Sequence, residues 1–155
     1  MKFSHLVQVN DPLNPLIDAL TADEVWRGLV LRVENPMLFV YALDGFELLD
    51  RDGDTVRREL RFGRATVRDT VTFAPPTAIR HAVEAAGEIP AAALAVTIET
   101  PAPEQLFVRF DYETHAVNGA PPVDAFYQGF VKKAYVEADL DAIRTIRKLA
   151  VEGKL

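Results

Sequence analysis

The chain has 155 residues, a formal net charge of −6 and no cysteine. This length suits one domain with a buried core, so we expect a single domain over residues 1–155. The negative charge disfavours non-specific nucleic-acid binding, which depends on Lys and Arg, and the lack of cysteine excludes disulfides and thiolate metal sites. No apolar run is long enough to span a membrane. We expect a cytoplasmic protein.

The first part of the chain predicts one strand and two short helices. Residues 3–9 alternate between apolar and polar side chains, as in a half-buried strand, and two prolines follow. Thr21 and Glu24 form a capping box before apolar residues that recur at helical spacing as far as Asn35. A proline then suits the start of a second short helix over residues 37–40.

The middle of the chain predicts an antiparallel meander. From residue 44 onward the apolar period is two, and short Gly- or Pro-containing connections imply successive hairpins. The six predicted strands cover residues 45–51, 54–62, 64–73, 77–85, 92–100 and 105–115.

The C-terminal part, residues 123–152, predicts a helix about 45 Å long at roughly 1.5 Å per residue. Its apolar side chains recur at helical spacing, which predicts an inward stripe. The stripe comprises Phe126, Tyr127, Phe130, Val131, Ala134, Tyr135, Ala138, Ile143, Ile146 and Leu149.

This order predicts an α+β helix-grip fold of the START-like type. A curved antiparallel sheet of about seven strands would wrap around the long C-terminal helix, with the two short helices placed after the first strand. Six consecutive meander strands twist strongly, and wrapping one long helix buries both apolar faces together. This geometry leaves a space between the sheet and the helix.

The segment from Val56 to Phe73 predicts a hairpin about Gly63, which supplies the positive φ of a two-residue turn. This register sets Arg58 opposite Asp69 on a face that is otherwise apolar. Two interpretations follow. The two residues form a satisfied buried ion pair, or Arg58 presents its guanidinium to a ligand oxygen while Asp69 orients it.

His81 is the next candidate, because it lies between apolar residues in the following strand. If Phe73 pairs with Ile79, His81 lies diagonal to Asp69, within reach of a long side chain. An Asp–His contact would orient the imidazole for general-base work. A structural histidine is the more common interpretation, and a slip of one residue would turn His81 outward.

Four further residues are candidates for the inner face. His5 lies on the apolar face of the first strand, where a hydrogen-bonded core histidine is the more common interpretation. Tyr112 follows apolar inward positions, and a buried phenol needs a partner, so it serves as a pocket donor or as core packing. Trp26 and Phe130 are core residues or pocket walls.

The register of strand 45–51 stays open. Glu47 would lie beside Arg58 if Asp52 and Gly53 form a two-residue type I′ turn. The competing register instead turns Phe46 and Leu48 inward.

The chain lacks a Gly-rich phosphate loop and a GxSxG motif, and its histidines at 5, 81 and 115 have no ligand spacing. We therefore expect no metal and no cofactor.

The segments NDPLNP, WRGLV, RRELRFG and VRD resemble the AtaL-like branch of the START-type (SRPBCC) superfamily, formerly a domain of unknown function. The resemblance covers essentially the whole chain. It implies the helix-grip fold and a hydrophobic ligand cavity, and it implies no agreed reaction and no catalytic residues.

Three function hypotheses follow. The first is binding of a small, largely apolar molecule, aromatic or polyketide-like, in an internal cavity. The second is an enzyme, such as a cyclase, dehydratase or isomerase, in which His81, Asp69 or Tyr112 does acid/base work and Arg58 stabilises charge. The third is a protein-interaction module that uses the apolar segment 37–41.

Overall fold

The computed structural model describes residues 1–115 and 125–155. In chain order its elements are β1 (Lys2–Asn10), α1 (Ala22–Glu34), a 3-10 turn (Pro36–Leu38), β2 (Gly45–Asp52), β3 (Thr55–Phe62), β4 (Ala65–Ala74), β5 (Ala78–Val83), β6 (Ala92–Glu99), β7 (Leu106–Thr114) and α2 (Ala125–Val151). None of the helices within these residues is long and apolar enough to cross a membrane.

The predicted elements are confirmed with small differences at their ends. Strand β5 ends at Val83, before the predicted residue 85, and the second short helix is a single 3-10 turn. The start predicted for the last helix, residues 123–124, lies outside the described part of the chain. The capping box is present, because the backbone N–H of Glu24 donates to Thr21 and the Glu24 carboxylate accepts from the backbone of Thr21.

The seven strands form one antiparallel sheet in the order β1-β7-β6-β5-β4-β3-β2. The hairpin β3–β4 has the predicted register, with Arg58 opposite Asp69 and Gly63 at a φ of +56° in the turn. His81 lies opposite Val71, as predicted for pairing of Phe73 with Ile79. Arg58, Asp69 and His81 therefore share the inner face of the sheet, which faces the helices.

The core lies at one end of this inner face, beneath α1 and the second half of α2. Gly28 of α1 makes the close approach of the two helices feasible, because a Cβ at this position would lie 2.6 Å from the Ile146 side chain. The buried core includes Val7, Val9, Val25, Leu29, Val33, Val56, Val71, Phe73, Ile79, Val96, Ile98, Val108, Phe110, Ile143 and Ile146.

The predicted inward stripe of the last helix is wrong for its first turns, whereas Val131 and Tyr135 further along are half-buried. Phe126, Tyr127 and Phe130 are 87%, 55% and 67% exposed, and the buried positions that the structure describes in α2 begin only at Asp139. The physical reason is that α1 and β1 hold the second half of α2, whereas the first turns extend beyond the packed core. Phe130 is therefore not a core residue.

Candidate functional site

The inner face of the sheet changes from packed to partly open along its strands. Toward the β3–β4 turn, five apolar side chains on this face remain half-buried, namely Leu60, Phe62, Val67, Val83 and Leu94. We call this region the open end. These side chains lie on the side of the sheet that faces the helices, next to the buried core, against which Leu94 packs.

The first buried polar group at the edge of the open end is the Arg58 cluster, formed by Arg58, Asp69 and His81. Arg58 donates through Nε and Nη2 to the two oxygens of Asp69, at 2.9 and 2.6 Å, and through Nη1 to the carbonyl of Val33 at 2.9 Å. Both charged side chains are almost fully buried. Nδ1 of His81 lies 3.8 Å from Asp69, outside hydrogen-bonding distance.

The charges of the Arg58 cluster determine its protonation. Burial acts to raise the pKa of Asp69, but the hydrogen bond from Arg58 and the contact with His81 outweigh it and hold the pKa below the ordinary 3.8. Burial, together with the charges of Arg58 and Arg32, lowers the pKa of His81 below 6.5. His81 is therefore a neutral imidazole at neutral pH, able to accept a proton.

The second buried polar group is the Asp139 cluster, formed by Asp139, Tyr112, His5 and Arg32. Asp139 is fully buried on α2, and its Oδ2 accepts from the Tyr112 hydroxyl at 2.6 Å and lies 2.8 Å from Nε2 of His5. Its other oxygen accepts from Nη2 of Arg32 at 3.4 Å. One carboxylate thus joins β1, β7, α1 and α2.

Tyr112 is held as a protonated phenol by its surroundings. Burial and the negative charge of Asp139 raise its pKa above the ordinary 10.0. Its ring stacks on that of Tyr135 with centroids 4.2 Å apart, and His5 lies in the same set of stacked rings, between Phe3 and Phe110. This side of the site is a wall of parallel aromatic faces.

Arg32 differs from Arg58 in its hydrogen bonding. Its Nη1 is buried and has no hydrogen-bond partner among the described residues. The guanidinium lies over the ring of Phe110, 5.9 Å from the centroid. Its charge acts on Tyr112 of its own cluster and also on His81 of the Arg58 cluster.

The remaining predicted site residues have distinct positions. Trp26 packs against the core, with its ring edge-on to Phe73 at 6.4 Å, and Phe130 is exposed, as described above. Glu47 pairs with Glu59 on the outer face, because an irregularity between Leu48 and Asp50 shifts the register. The open question of this strand is thereby resolved in favour of the register that puts Phe46 and Leu48 on the inner face, where Leu48, on the edge strand, remains 43% exposed.

Arg32 and Asp139 were missed by the sequence analysis. Each occupies a position that the helical period assigns to the buried face: Arg32 lies seven residues after Val25, and Asp139 lies four before Ile143. A charged residue on an apolar stripe was the available signal. No group of three or more His, Cys, Asp or Glu within the described ranges is placed to hold a metal ion.

A groove of about 460 Å³ lies on the opposite, outer face of the sheet. It runs over Ala93 and Ala95 and is bordered by Arg80, Asp111 and Glu113. Its walls carry charges of both signs, and its floor is made of small side chains. Because the larger apolar side chains of the open end lie on the inner face, we take the inner face as the candidate site.

The seven-stranded sheet and the long C-terminal helix define the helix-grip fold. The model of the family described as "Acetylaranotin biosynthesis cluster protein L" (AtaL) matches residues 7–153, and the chain belongs to this family. Among curated proteins, no sequence matches the chain.

Solved structures of low sequence identity share the fold. The di-domain aromatase/cyclase StfQ of the steffimycin pathway aligns at a TM-score of 0.74 and 11% identity, over 97% of this chain and 51% of its own. The chain thus spans about half the length of StfQ. Zhui aromatase/cyclase from a Streptomyces species aligns at 0.68 and 20% identity, over 97% and 95%. Ara h 8.0201 aligns at 0.65 and 12% identity, over 98% of each chain.

Proposed function

We propose that this protein binds a small, largely apolar molecule between the open end of the sheet and the first half of α2. The observation that carries the proposal is the change in burial along the inner face. Apolar side chains are fully buried at the core end and only half-buried at the open end. Covering apolar surface is favourable by about 25 cal/mol per Å², so an apolar ligand gains free energy at the open end.

The exposed aromatic residues of α2 support the same proposal. Phe126 and Phe130 lie in the half of the helix that extends beyond the core, and both are largely exposed. Scattered exposed apolar residues are ordinary, but two exposed aromatic side chains one helical turn apart form an apolar surface that a ligand can cover. Met37, Leu38 and Tyr41 are also exposed, and their part in an interaction surface stays a prediction.

Planar aromatic or polyketide-like compounds are the ligand class that we favour. The rings of Phe3, His5, Tyr112 and Tyr135 present nearly parallel faces, and offset stacking suits a flat ligand. Two structural neighbours are named aromatase/cyclases, one of them from the steffimycin biosynthetic pathway, and the family description names a biosynthesis cluster. These names agree with the proposal.

The experiment is a titration with Nile red, a neutral apolar dye whose fluorescence rises in apolar surroundings. We expect saturable binding to the wild-type chain. Leu94→Gln, on the inner face, should weaken binding about fivefold, because partial burial of a Leu side chain is worth about 1 kcal/mol. Ala93→Gln is the matched control, because Ala93 lines the groove on the outer face. Equal effects of the two substitutions would contradict the proposed position.

The same site supports a second candidate function, acid/base chemistry on the bound molecule. The observation that favours it is His81, which stays neutral at neutral pH and lies 3.8 Å from the Asp69 carboxylate. A neutral imidazole beside a carboxylate is suited to accept a proton from a ligand. The reaction would be a cyclisation, dehydration or isomerisation, as the sequence analysis proposes.

A deuterium-exchange assay tests this second function. The enolisable ketone β-tetralone should exchange its α-hydrogens with D2O faster in the presence of the protein than in buffer alone. His81→Gln should abolish the acceleration and leave Nile red binding intact. Exchange that is no faster with protein than with buffer would leave binding as the better account.

A further inference from the structure

We infer that Arg32 donates to an anionic oxygen of the ligand, so that the molecule bound at the open end is an apolar organic acid. This inference rests on the proposed ligand binding and adds the chemical class of the ligand's polar group. The sequence pattern indicates Arg58 as the residue that binds the ligand's polar group, and the inference assigns this role to Arg32 on α1 instead.

The first step is that Arg58 and Arg32 differ in how many of their donors are paired within the protein. Arg58 uses Nε and both terminal nitrogens in hydrogen bonds of 2.6–2.9 Å to Asp69 and Val33. Arg32 makes one long contact, 3.4 Å from Nη2 to Asp139, and its Nη1 has no partner within the described part of the chain. A buried donor without an acceptor is destabilising. Arg58 is therefore satisfied by the protein, whereas Arg32 retains a donor for a ligand.

The second step concerns charge. The Asp139 carboxylate is shared, because its Oδ2 already lies within hydrogen-bonding distance of Tyr112 and His5. Only the other oxygen lies toward Arg32, at the long distance of 3.4 Å. The Arg32–Asp139 ion pair is therefore long, and it leaves Nη1 without an acceptor. An ionised ligand oxygen would accept from this donor, and hydrogen bonds between ionised partners are about twice as strong as neutral ones.

The third step concerns position. The Arg32 side chain keeps 17% of its surface exposed, so it is not sealed in the core. It lies over the ring of Phe110, which precedes Tyr112 on the inner face of β7. In the sheet, Leu94 lies between Tyr112 and His81 in the same cross-strand row, and the charge of Arg32 acts on both of these neighbours. The acid group would meet Arg32 after a small rotation of the guanidinium, while the apolar body covers Leu94 and the open end.

The test uses naphthoic acid and its methyl ester as competitors of Nile red at neutral pH. With the wild-type chain, we expect the carboxylate to compete about tenfold or more better than the ester, because one charge-assisted hydrogen bond is worth a factor of this order. In Arg32→Met, the acid should lose about 10- to 100-fold in affinity, whereas Nile red and the ester should change little.

Arg27→Met is the matched control, because Arg27 lies on the same helix with an exposed side chain paired to Asp23. It should leave acid and ester unchanged. Circular dichroism tests whether Arg32→Met is folded. The comparison of acid with ester in the wild-type chain does not depend on any substitution.

Equal competition by acid and ester in the wild-type chain, with Nile red bound, would overturn the inference and leave the proposed function standing. An equal loss of affinity for acid and ester in folded Arg32→Met would also overturn it, because Arg32 would then shape the site without binding the carboxylate. Failure of Nile red to bind the wild-type chain would overturn the proposed function itself.

Discussion

Removal of the Asp69 carboxylate should destabilise the protein strongly. Arg58 is almost fully buried and makes three hydrogen bonds, two of them to Asp69. In Asp69→Ala the guanidinium would keep only the Val33 carbonyl. Two hydrogen bonds between ionised groups at about 1.5–3 kcal/mol each, and the typical result of breaking a buried ion pair, give an expected loss of about 3–5 kcal/mol in the free energy of unfolding.

The assay is urea unfolding followed by the fluorescence of Trp26, the single tryptophan, whose ring packs on Phe73. The matched control is Glu59→Ala, which removes the adjacent cross-strand pair with Arg68 on the outer face of the same hairpin. Because Arg68 is 55% exposed, that change should cost less than about 1 kcal/mol.

A double variant separates the cost of a stranded charge from that of lost packing. Replacing Arg58 by Met and Asp69 by Leu removes both charges together, and we expect it to recover most of the loss. A loss for Asp69→Ala no larger than for Glu59→Ala would refute the buried-pair account.

Three further predictions follow from the same structure. Because the folded pKa of His81 lies below 6.5, the unfolded chain binds more protons than the folded chain just below pH 6.5. The contribution of neutral His81 to stability is therefore complete above that pH and is lost on acidification. His81→Gln should flatten the decline in the free energy of unfolding measured between about pH 7 and 5. Gly28→Ala should lower the melting temperature, because its Cβ would lie 2.6 Å from Ile146, whereas Gly129→Ala, with no described atom within 4 Å, should raise it through helix propensity worth about 1 kcal/mol. Addition of a chelator should not change the melting temperature, because a structural metal would have to leave for stability to fall.

The fold was predictable because local rules agree with one another along most of this chain. Alternation specifies the inner face of each strand, and Gly63 fixes the turn that sets the register of β3 and β4. The position of Arg58 opposite Asp69 follows from these two facts alone. The capping box defined the start of α1 in the same way, since it requires only residues that are close in sequence.

The register of β2 was not predictable, because it depends on an irregularity between Leu48 and Asp50 that no glycine marks. Such an extra residue moves Glu47 to the outer face while leaving the hydrophobic pattern readable in two ways.

The polar residues of the site that lie on the sheet were predicted, whereas those on the helices were not. His81 and Asp69 share a sheet, so the strand register brings them together, and His5 and Tyr112 lie on adjacent strands. Asp139 and Arg32 come from two helices, and their contacts depend on how those helices pack on the sheet. Periodicity specifies which face of a helix is buried, and it does not specify what that face meets.

The account depends most directly on where an apolar ligand binds, and a methyl-resolved NMR titration with naphthoic acid measures this. The account predicts that the methyl signals of Leu60, Val83 and Leu94 shift together as ligand is added, because these side chains form the half-buried inner face at the open end. The exposed methyls of Leu13 and Leu16 should stay unchanged. Shifts confined to such exposed methyls, with those three unaffected, would contradict the account.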